Sequence, residues 1–239
     1  MSEKKYMITE EELDKYIKFF DEQERDKEYA LNRLFTKYRT NTSLYEIMLK
    51  VTVLNSFYSA GLNNNKGKTI MDVVTMSKHI LLEPRFDIWL YSENSEVQLK
   101  AYNYIAEETS IVRSKDYNKC FSFASKYCSW HNPEAFPIMD KNAKKTLNGI
   151  INSDDNNFKN STKYIKSIKS DDFHDYKLFR ELCLDFMHYV NYECGFENKY
   201  TLKDIDKYLW MYEKIDNNET EESQEIKGGE YINEDTKTK

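Results

Sequence analysis

Glycine and proline are scarce in this chain, with six and three among 239 residues. β-Sandwiches and barrels need many turns, which draw on both residues, whereas long helices tolerate few of either. Patterns of the form Ser/Thr-x-x-Glu/Gln/Asp, which open helices, recur at Thr9, Ser43, Thr69, Ser95 and Thr201. We therefore expect an all-α protein of about nine or ten helices.

The sequence also lacks the short motifs that mark nucleotide, flavin and metal sites, including a P-loop, G-x-G-x-x-G, H-E-x-x-H and C-x-x-C. Its four cysteines, at positions 120, 128, 183 and 194, are spaced unlike zinc or iron–sulfur ligands and are interpreted as buried thiols in a reducing compartment. No apolar signal core opens the chain and no apolar run approaches ~18 residues. We expect a cytoplasmic monomer without metal, cofactor or membrane partner.

Charge is unevenly distributed along the chain, whose net charge is −6. Residues 216–239 hold eight acids and three bases and lack periodicity, so we expect a helical domain over 1–215 followed by an acidic disordered tail. Residues 113–169 hold eleven Lys or Arg and five Asp or Glu. This basic block either contacts phosphates or only solvates helix faces, and composition does not separate the two.

The central element, residues 113–151, contains a helix, an extended turn and a second helix. Phe121, Ala124 and Tyr127 recur at helical spacing, and Pro133 ends that helix. Asp140 then caps a helix from Lys141 to Ile151, where its carboxylate accepts backbone N–H groups at the positive end of the helix dipole. An ordinary cap would look the same.

Ala124, Pro133 and the segment Phe136-Pro137-Ile138-Met139-Asp140 resemble the core of the helix–hairpin–helix (HhH-GPD) DNA glycosylase superfamily, in a divergent branch similar to the 8-oxoguanine glycosylases. In that family the Asp that begins the helix is catalytic. The resemblance implies two helical lobes around a DNA-binding cleft, with Asp140 as the catalytic carboxylate. It covers about thirty residues, and Met139 is one residue more than the family's usual Pro-Val-Asp.

Two departures from the family pattern shape this expectation. The hairpin of the family carries glycines that hold a DNA phosphate, whereas residues 115–121 have none, so the element is degenerate. Bifunctional members carry a lysine two residues before the Ala, where this chain has Ser122. We therefore expect a monofunctional enzyme. By helical spacing neither Lys119 nor Lys126 occupies the nucleophile's place, although a shifted alignment would change that.

The expected function is excision of a damaged or modified base after it is flipped out of the duplex, with defence against phage DNA that carries modified bases as one extension. The alternatives are a non-catalytic helical DNA-binding module and a helical protein-interaction domain in which Asp140 is only a cap. Trp130 is interpreted first as core packing and His131 also as a cation at a helix C-terminus. Candidates for the base pocket are Asn55, Tyr58, Trp130 and His131, and candidates for phosphate contacts are Lys115, Lys119, Lys141, Lys144 and Lys145.

Overall fold

The computed structural model describes residues 6–58, 69–112, 121–162 and 175–229. Within these ranges the chain forms eleven α-helices, one π-helical segment and no strand, which confirms the all-α prediction. The helices are α1 (Glu10–Gln23), α2 (Arg25–Lys37), α3 (Leu44–Tyr58), α4 (Thr69–Leu82), α5 (Phe86–Leu90), α6 (Ser95–Val112), α7 (Phe121–His131), α8 (Lys141–Asn152), α9 (Phe158–Ser161), α10 (Tyr176–His188) and α11 (Leu202–Gly229), with the π-helical segment at Tyr189–Glu193.

Several helix ends follow directly from the sequence. The Thr9 hydroxyl accepts a hydrogen bond from the Glu12 amide at 3.2 Å and caps α1. Thr201 and Asp204 form a reciprocal capping box at α11, in which each side chain accepts from the other residue's amide. α7 ends at His131, two residues before Pro133, as the prediction for that proline requires.

Helix α7 is deeply enclosed in the structure. Every side chain from Phe123 to His131 is buried. It packs against α2, α3 and α6, whereas α11 packs against α1, α8 and α10. Buried side chains of both groups belong to one continuous hydrophobic core. The turn between α7 and α8 therefore lies where the two groups of helices meet.

A buried polar cluster ties α7 to the loop between α2 and α3. Lys50 is fully buried, and its ammonium donates to the carbonyls of Tyr38 and Thr40 at 3.0 and 2.9 Å and to Asn41 Oδ1 at 2.8 Å. Burial lowers the pKa of Lys50 to about 8. The Tyr127 hydroxyl also donates to Asn41 Oδ1, at 2.5 Å. These bonds satisfy a cation that would otherwise be costly to bury.

Three segments have structure that their sequences alone do not specify. Residues 153–161 are mostly polar, but they include α9, which is held by the buried ring of Phe158 against Phe186. After α10 the chain changes to π-helical geometry at Tyr189. α11 continues through Gly229, past residue 215, because Glu, Gln and Lys are good helix formers and no proline interrupts them.

The described helices include none that is both long and apolar enough to cross a membrane.

Replacing Asn41 tests the buried cluster. Its amide accepts from Lys50 and Tyr127 and donates to Asp87 Oδ1 at 2.6 Å. Asn41→Ala leaves these buried groups without their partner, so we expect the free energy of unfolding to fall by about 2–4 kcal/mol in urea denaturation. The neighbouring exposed Thr42→Ala is the control and should change it by less than about 0.5 kcal/mol. Equal effects of the two variants would contradict the role of the cluster.

Candidate functional site

Two neighbouring cavities lie between α7, α11 and the N-terminal helices. The smaller, of about 30 Å³, is lined by Phe20, Glu24, Tyr58, Lys126, Ile138, Asp140, Lys203, Asp206, Lys207 and Trp210. The larger, of about 440 Å³, is lined by Glu28, Asn32, Phe35, Thr36, Arg39, Tyr91, Ser129, Trp130, His131, Pro133, Lys203 and Lys207. Lys203 and Lys207 line both cavities, so the two are adjacent across one face of α11.

Asp140 sits at the N-cap of α8, as the sequence predicts. Its Oδ1 accepts a hydrogen bond from the Ala143 amide at 3.0 Å. Its Oδ2 lies 3.8 Å from the ammonium nitrogen of Lys126, and its side chain is 15% exposed. One oxygen therefore serves the helix, whereas the other faces a cation at the smaller cavity.

The turn that carries Asp140 is fixed from three helices. The Met139 amide donates to the Ser125 hydroxyl on α7 at 3.0 Å. The Tyr176 hydroxyl of α10 donates to the Pro137 carbonyl at 3.0 Å. The Ile138 amide donates to both carboxylate oxygens of Asp206 on α11, at 3.0 and 2.9 Å. Such bonds hold a functional side chain in one direction.

Lys126 is a buried amine at the centre of this arrangement. Its Nζ donates to the Ser122 hydroxyl at 2.6 Å and lies 5.4 Å from the centre of the Tyr58 ring. Burial lowers the pKa of Lys126, and the nearby Asp140 carboxylate opposes that shift. Helix spacing places Lys126 one turn beyond Ser122 on the same face, and helical side chains lean toward the N-terminus. The amine thus reaches Ser122, a contact that helical spacing alone did not predict.

Asp206 is the titratable residue that the sequence interpretation missed. Its side chain is buried at 4% exposure, and burial raises its pKa to about 7, although Lys203 and the Ile138 amide act in the opposite direction. A signal for it exists in the sequence. Asp206 falls four residues after Leu202 and three before Leu209, on the apolar stripe of α11, where a carboxylate is unusual.

Three of the four base-pocket candidates line the two cavities. Trp130 and His131 line the larger cavity and Tyr58 lines the smaller. Asn55 is buried on α3 and is not among the lining residues of either cavity. Burial raises the pKa of the Tyr58 phenol, so this hydroxyl keeps its proton. Trp130 packs in the core as predicted, with 9% of its surface exposed, and it also forms part of the wall of the larger cavity.

His131 is not the helix-terminal cation that the sequence allowed. Burial, together with the charge of Lys50, holds the pKa of His131 well below its usual value, so the ring is neutral. Its Nε2 lies 3.2 Å from Lys50 Nζ, and its Nδ1 lies 3.0 Å from the Tyr91 hydroxyl. Both nitrogens are engaged by the protein, so only the ring itself is available to a ligand.

The phosphate-contact candidates differ in what they offer to solvent. Lys141 is exposed at the start of α8. Lys144 is half-buried, and burial lowers its pKa while Asp140 opposes the shift. Lys145 forms an ion pair with the buried carboxylate of Glu213. Lys115 and Lys119 lie outside the described residues, as do all but the last residue of the expected degenerate hairpin over 115–121.

Two cations of α11, absent from the sequence-based list, stand between the cavities. Lys203 Nζ is 3.3 Å from Glu28 and 4.6 Å from the centre of the Trp130 ring. Lys207 Nζ is 2.8 Å from Asp21. These ion pairs join α11 to α1 and α2 over the smaller cavity. Among the described residues no group of His, Cys, Asp and Glu side chains is suited to hold a metal ion.

The family of the chain follows from comparison with known proteins. The model of the family HI_0787_N, described as an N-terminal domain, matches residues 12–135, more than half of the chain. The chain belongs to this family. The matched region runs from α1 through α7 and includes Lys126, but it ends before Asp140 and Asp206.

A relative from Haemophilus influenzae, described as an uncharacterized protein, is 30% identical over 152 residues. That match covers 64% of this chain and 62% of the relative, so the chain spans less than two thirds of the relative's length. No solved structure matches.

The arrangement can place a fixed negative charge and a desolvated amine at one point beside a cavity. A carboxylate held by an N-cap bond cannot turn away from a positive charge that develops next to it. An amine in a low-dielectric site loses its proton more readily and then becomes a nucleophile. Perturbed titratable groups that converge in a cavity are typical of functional sites.

The raised pKa of Asp206 predicts a pH-dependent stability. The folded protein binds this proton more tightly than the unfolded chain, in which an Asp titrates near 3.9. Stability therefore falls as pH rises from about 4 to about 7, by roughly 4 kcal/mol once pH exceeds the folded pKa. Asp206→Asn has no carboxyl group to titrate at this position. Its free energy of unfolding, measured in urea, should therefore rise relative to that of the parent between pH 4.5 and pH 8.

The matched control is Asp185→Asn on α10, whose carboxylate accepts a hydrogen bond from Thr162 outside the two cavities. It should track the parent across the same pH range. A constant difference between the Asp206→Asn variant and the parent at every pH would contradict the raised pKa.

Proposed function

We propose that the protein is a DNA N-glycosylase that removes a damaged or modified base. The observation that carries the proposal is the 3.8 Å approach of the buried Lys126 amine to the Asp140 carboxylate at the wall of a cavity. The resemblance of residues 124–140 to the helix–hairpin–helix glycosylases supports the same assignment. DNA is the proposed partner.

Asp140 acts on the sugar in this proposal. Breaking an N-glycosidic bond builds positive charge on the ring oxygen and C1′. A carboxylate fixed beside that position stabilises the charge more in the transition state than in the ground state, which is what accelerates a reaction. The N-cap bond to Ala143 fixes its direction, and Asp206, Ser125 and Tyr176 fix the backbone that carries it.

Lys126 supplies the nucleophile, in place of the water that a monofunctional enzyme would use. The neutral amine donates its electron pair to C1′, and the C1′–N bond breaks with its pair leaving on the base, which takes up a proton. The bound nitrogen then loses a proton, and its lone pair forms the C1′=N bond of a Schiff base as the C1′–O4′ bond opens. O4′ keeps the pair of the broken bond and takes up a proton as a hydroxyl. The support for this step is the position of Nζ beside Ser122 and its burial-lowered pKa.

The larger cavity is the proposed base pocket. Its volume of about 440 Å³ falls within the ~300–1,000 Å³ of pockets that enclose drug-sized ligands, so it can hold a base that carries a substituent. Phe35 and Trp130 offer aromatic surfaces for stacking. A cavity of this volume favours a modified base as the substrate. Defence against phage DNA with such bases remains part of the proposal.

An abasic duplex tests the chemistry without knowledge of the target base. Borohydride should trap a covalent adduct between the parent protein and this DNA, because the exposed aldehyde condenses with the Lys126 amine. Lys126→Met should trap none. Asp140→Asn should bind the duplex but release base from a confirmed substrate about 10²–10³-fold more slowly.

Lys214→Met is the control, because Lys214 is a cation of α11 paired with Glu24 and lines neither cavity. It should trap as the parent does. Absence of an adduct with base release intact would return the enzyme to the monofunctional class. DNA binding without release on any substrate would leave a binding module, and no salt-dependent DNA binding would leave a protein-interaction domain.

The predicted phosphate contacts are tested at Lys141 and Lys145, which lie one turn apart on α8. Lys141→Glu should weaken binding to duplexes of any sequence and reduce the salt slope of binding by about one, since its ammonium is exposed. Lys145→Met should change the slope less, because that ammonium is paired with Glu213. Fluorescence anisotropy at several salt concentrations measures both. An unchanged slope for Lys141→Glu would remove it from the interface.

A further inference from the structure

Asp206 reaches the site from α11, 68 residues along the chain from the turn that it contacts. Both of its oxygens lie within 3.0 Å of a single amide, that of Ile138, and its side chain lines the smaller cavity with Lys126 and Asp140. One oxygen would suffice to satisfy one N–H group. The second oxygen and the negative charge are therefore in excess of what docking α11 on this turn requires.

Charged groups face Asp206 from every neighbouring segment. Three are cations, Lys126 of α7 and Lys203 and Lys207 of α11, and three are acids, Asp140 of the turn, Glu28 of α2 and Glu24 beside it. Lys203 attracts the Asp206 charge, whereas Asp140 and Glu28 repel it. Asp206 in turn acts on Lys126, favouring its charged form.

The remaining titratable neighbours are neutral. Tyr176 and Cys183 are buried beside this group and Tyr58 is half-buried, and desolvation raises the pKa of each well above the physiological range. The balance around Lys126 is thus set by two carboxylates, Asp140 and Asp206. Burial brings the pKa of Asp206 to about 7, so its own proton comes and goes near neutrality.

We propose that Asp206 is a positioning residue of the site: it holds the Asp140 turn through the Ile138 amide, and its negative charge holds Lys126 in the ammonium form. When Asp206 takes up a proton, Asp140 is the one carboxylate of the two that still stabilises the Lys126 ammonium. Lys126 then loses its proton more readily and becomes the nucleophile. The inference rests on the proposed function, because it assigns Asp206 to the same Lys126 and Asp140.

The test follows the titration of Lys126 directly by NMR of the full chain with ¹³C-labelled lysine. The Lys126 Cε signal is assigned by its loss in Lys126→Arg. Removing an anion near an ammonium disfavours the charged form, so in Asp206→Asn the midpoint of Lys126 should fall by at least about half a pH unit. Asp185→Asn should leave it at the parent value, and Asp206→Glu, which restores the charge, should return it toward that value.

The backbone part of the inference has its own readout in the same spectra. The asparagine oxygen can still accept from Ile138, so the amide signals of residues 138–143 should stay near their parent positions. A Lys126 midpoint equal to the parent's within about 0.2 unit would overturn the electrostatic role and leave Asp206 as a docking contact. A lowered midpoint that the glutamate does not restore, together with displaced signals over 138–143, would overturn it as well, because the turn itself would have moved.

Failure of the proposed function gives a different pattern. If the protein is not a glycosylase, the parent shows neither an adduct with abasic DNA nor base release, yet the Lys126 midpoint still responds to Asp206. If it is a glycosylase with Lys126 as its nucleophile, trapping in Asp206→Asn should extend to lower pH than in the parent, by the same shift as the NMR midpoint.

Discussion

The hydrogen bond from the Ile138 amide to Asp206 is the contact on which the site depends. It joins α11 to the turn between α7 and α8, where the two groups of helices share one hydrophobic core. Apolar contacts have no preferred direction, whereas a bond to a buried carboxylate has one. Together with the ion pairs from Lys203 to Glu28 and from Lys207 to Asp21, it fixes the position of α11, so that both cavities keep Lys203 and Lys207 as a common wall.

Burying this carboxylate has a cost that the rest of the site helps to offset. Asp206, Asp140, Glu24 and Glu28 gather around three lysines, so the region is a nearly balanced cluster of partly buried charge. Such clusters contribute little net stability, but they fix which group faces which. The same balance explains how an amine and a carboxylate can share a small space without either being expelled to the surface.

Sequence reasoning reached the helices, most of their ends and the cap at Asp140, because these depend on neighbours within a few residues. It considered Lys126 only for a shifted alignment and did not predict its approach to Asp140, since periodicity defines the face of a residue but not how far a long side chain extends back along that face. It did not reach Asp206 either, because its partner is 68 residues away and no local pattern encodes that meeting. The buried Lys50 was equally hidden, since a lysine on α3 suggests a solvated face until its three oxygen acceptors are seen together.

The neutral state of His131 fixes the direction of a chain of hydrogen bonds along one wall of the larger cavity. Below about pH 8 Lys50 is an ammonium, which has no lone pair to accept a hydrogen bond and gives its three protons to three oxygen atoms. The Nε2 atom of His131 therefore turns its lone pair toward the cation, and its Nδ1 atom carries the ring proton. That N–H donates a hydrogen bond to the Tyr91 hydroxyl, which in turn donates one to the Arg39 carbonyl at 3.1 Å. A molecule that enters the cavity therefore meets a lone pair at Tyr91, and an amino or imino N–H is the group that this oxygen can receive.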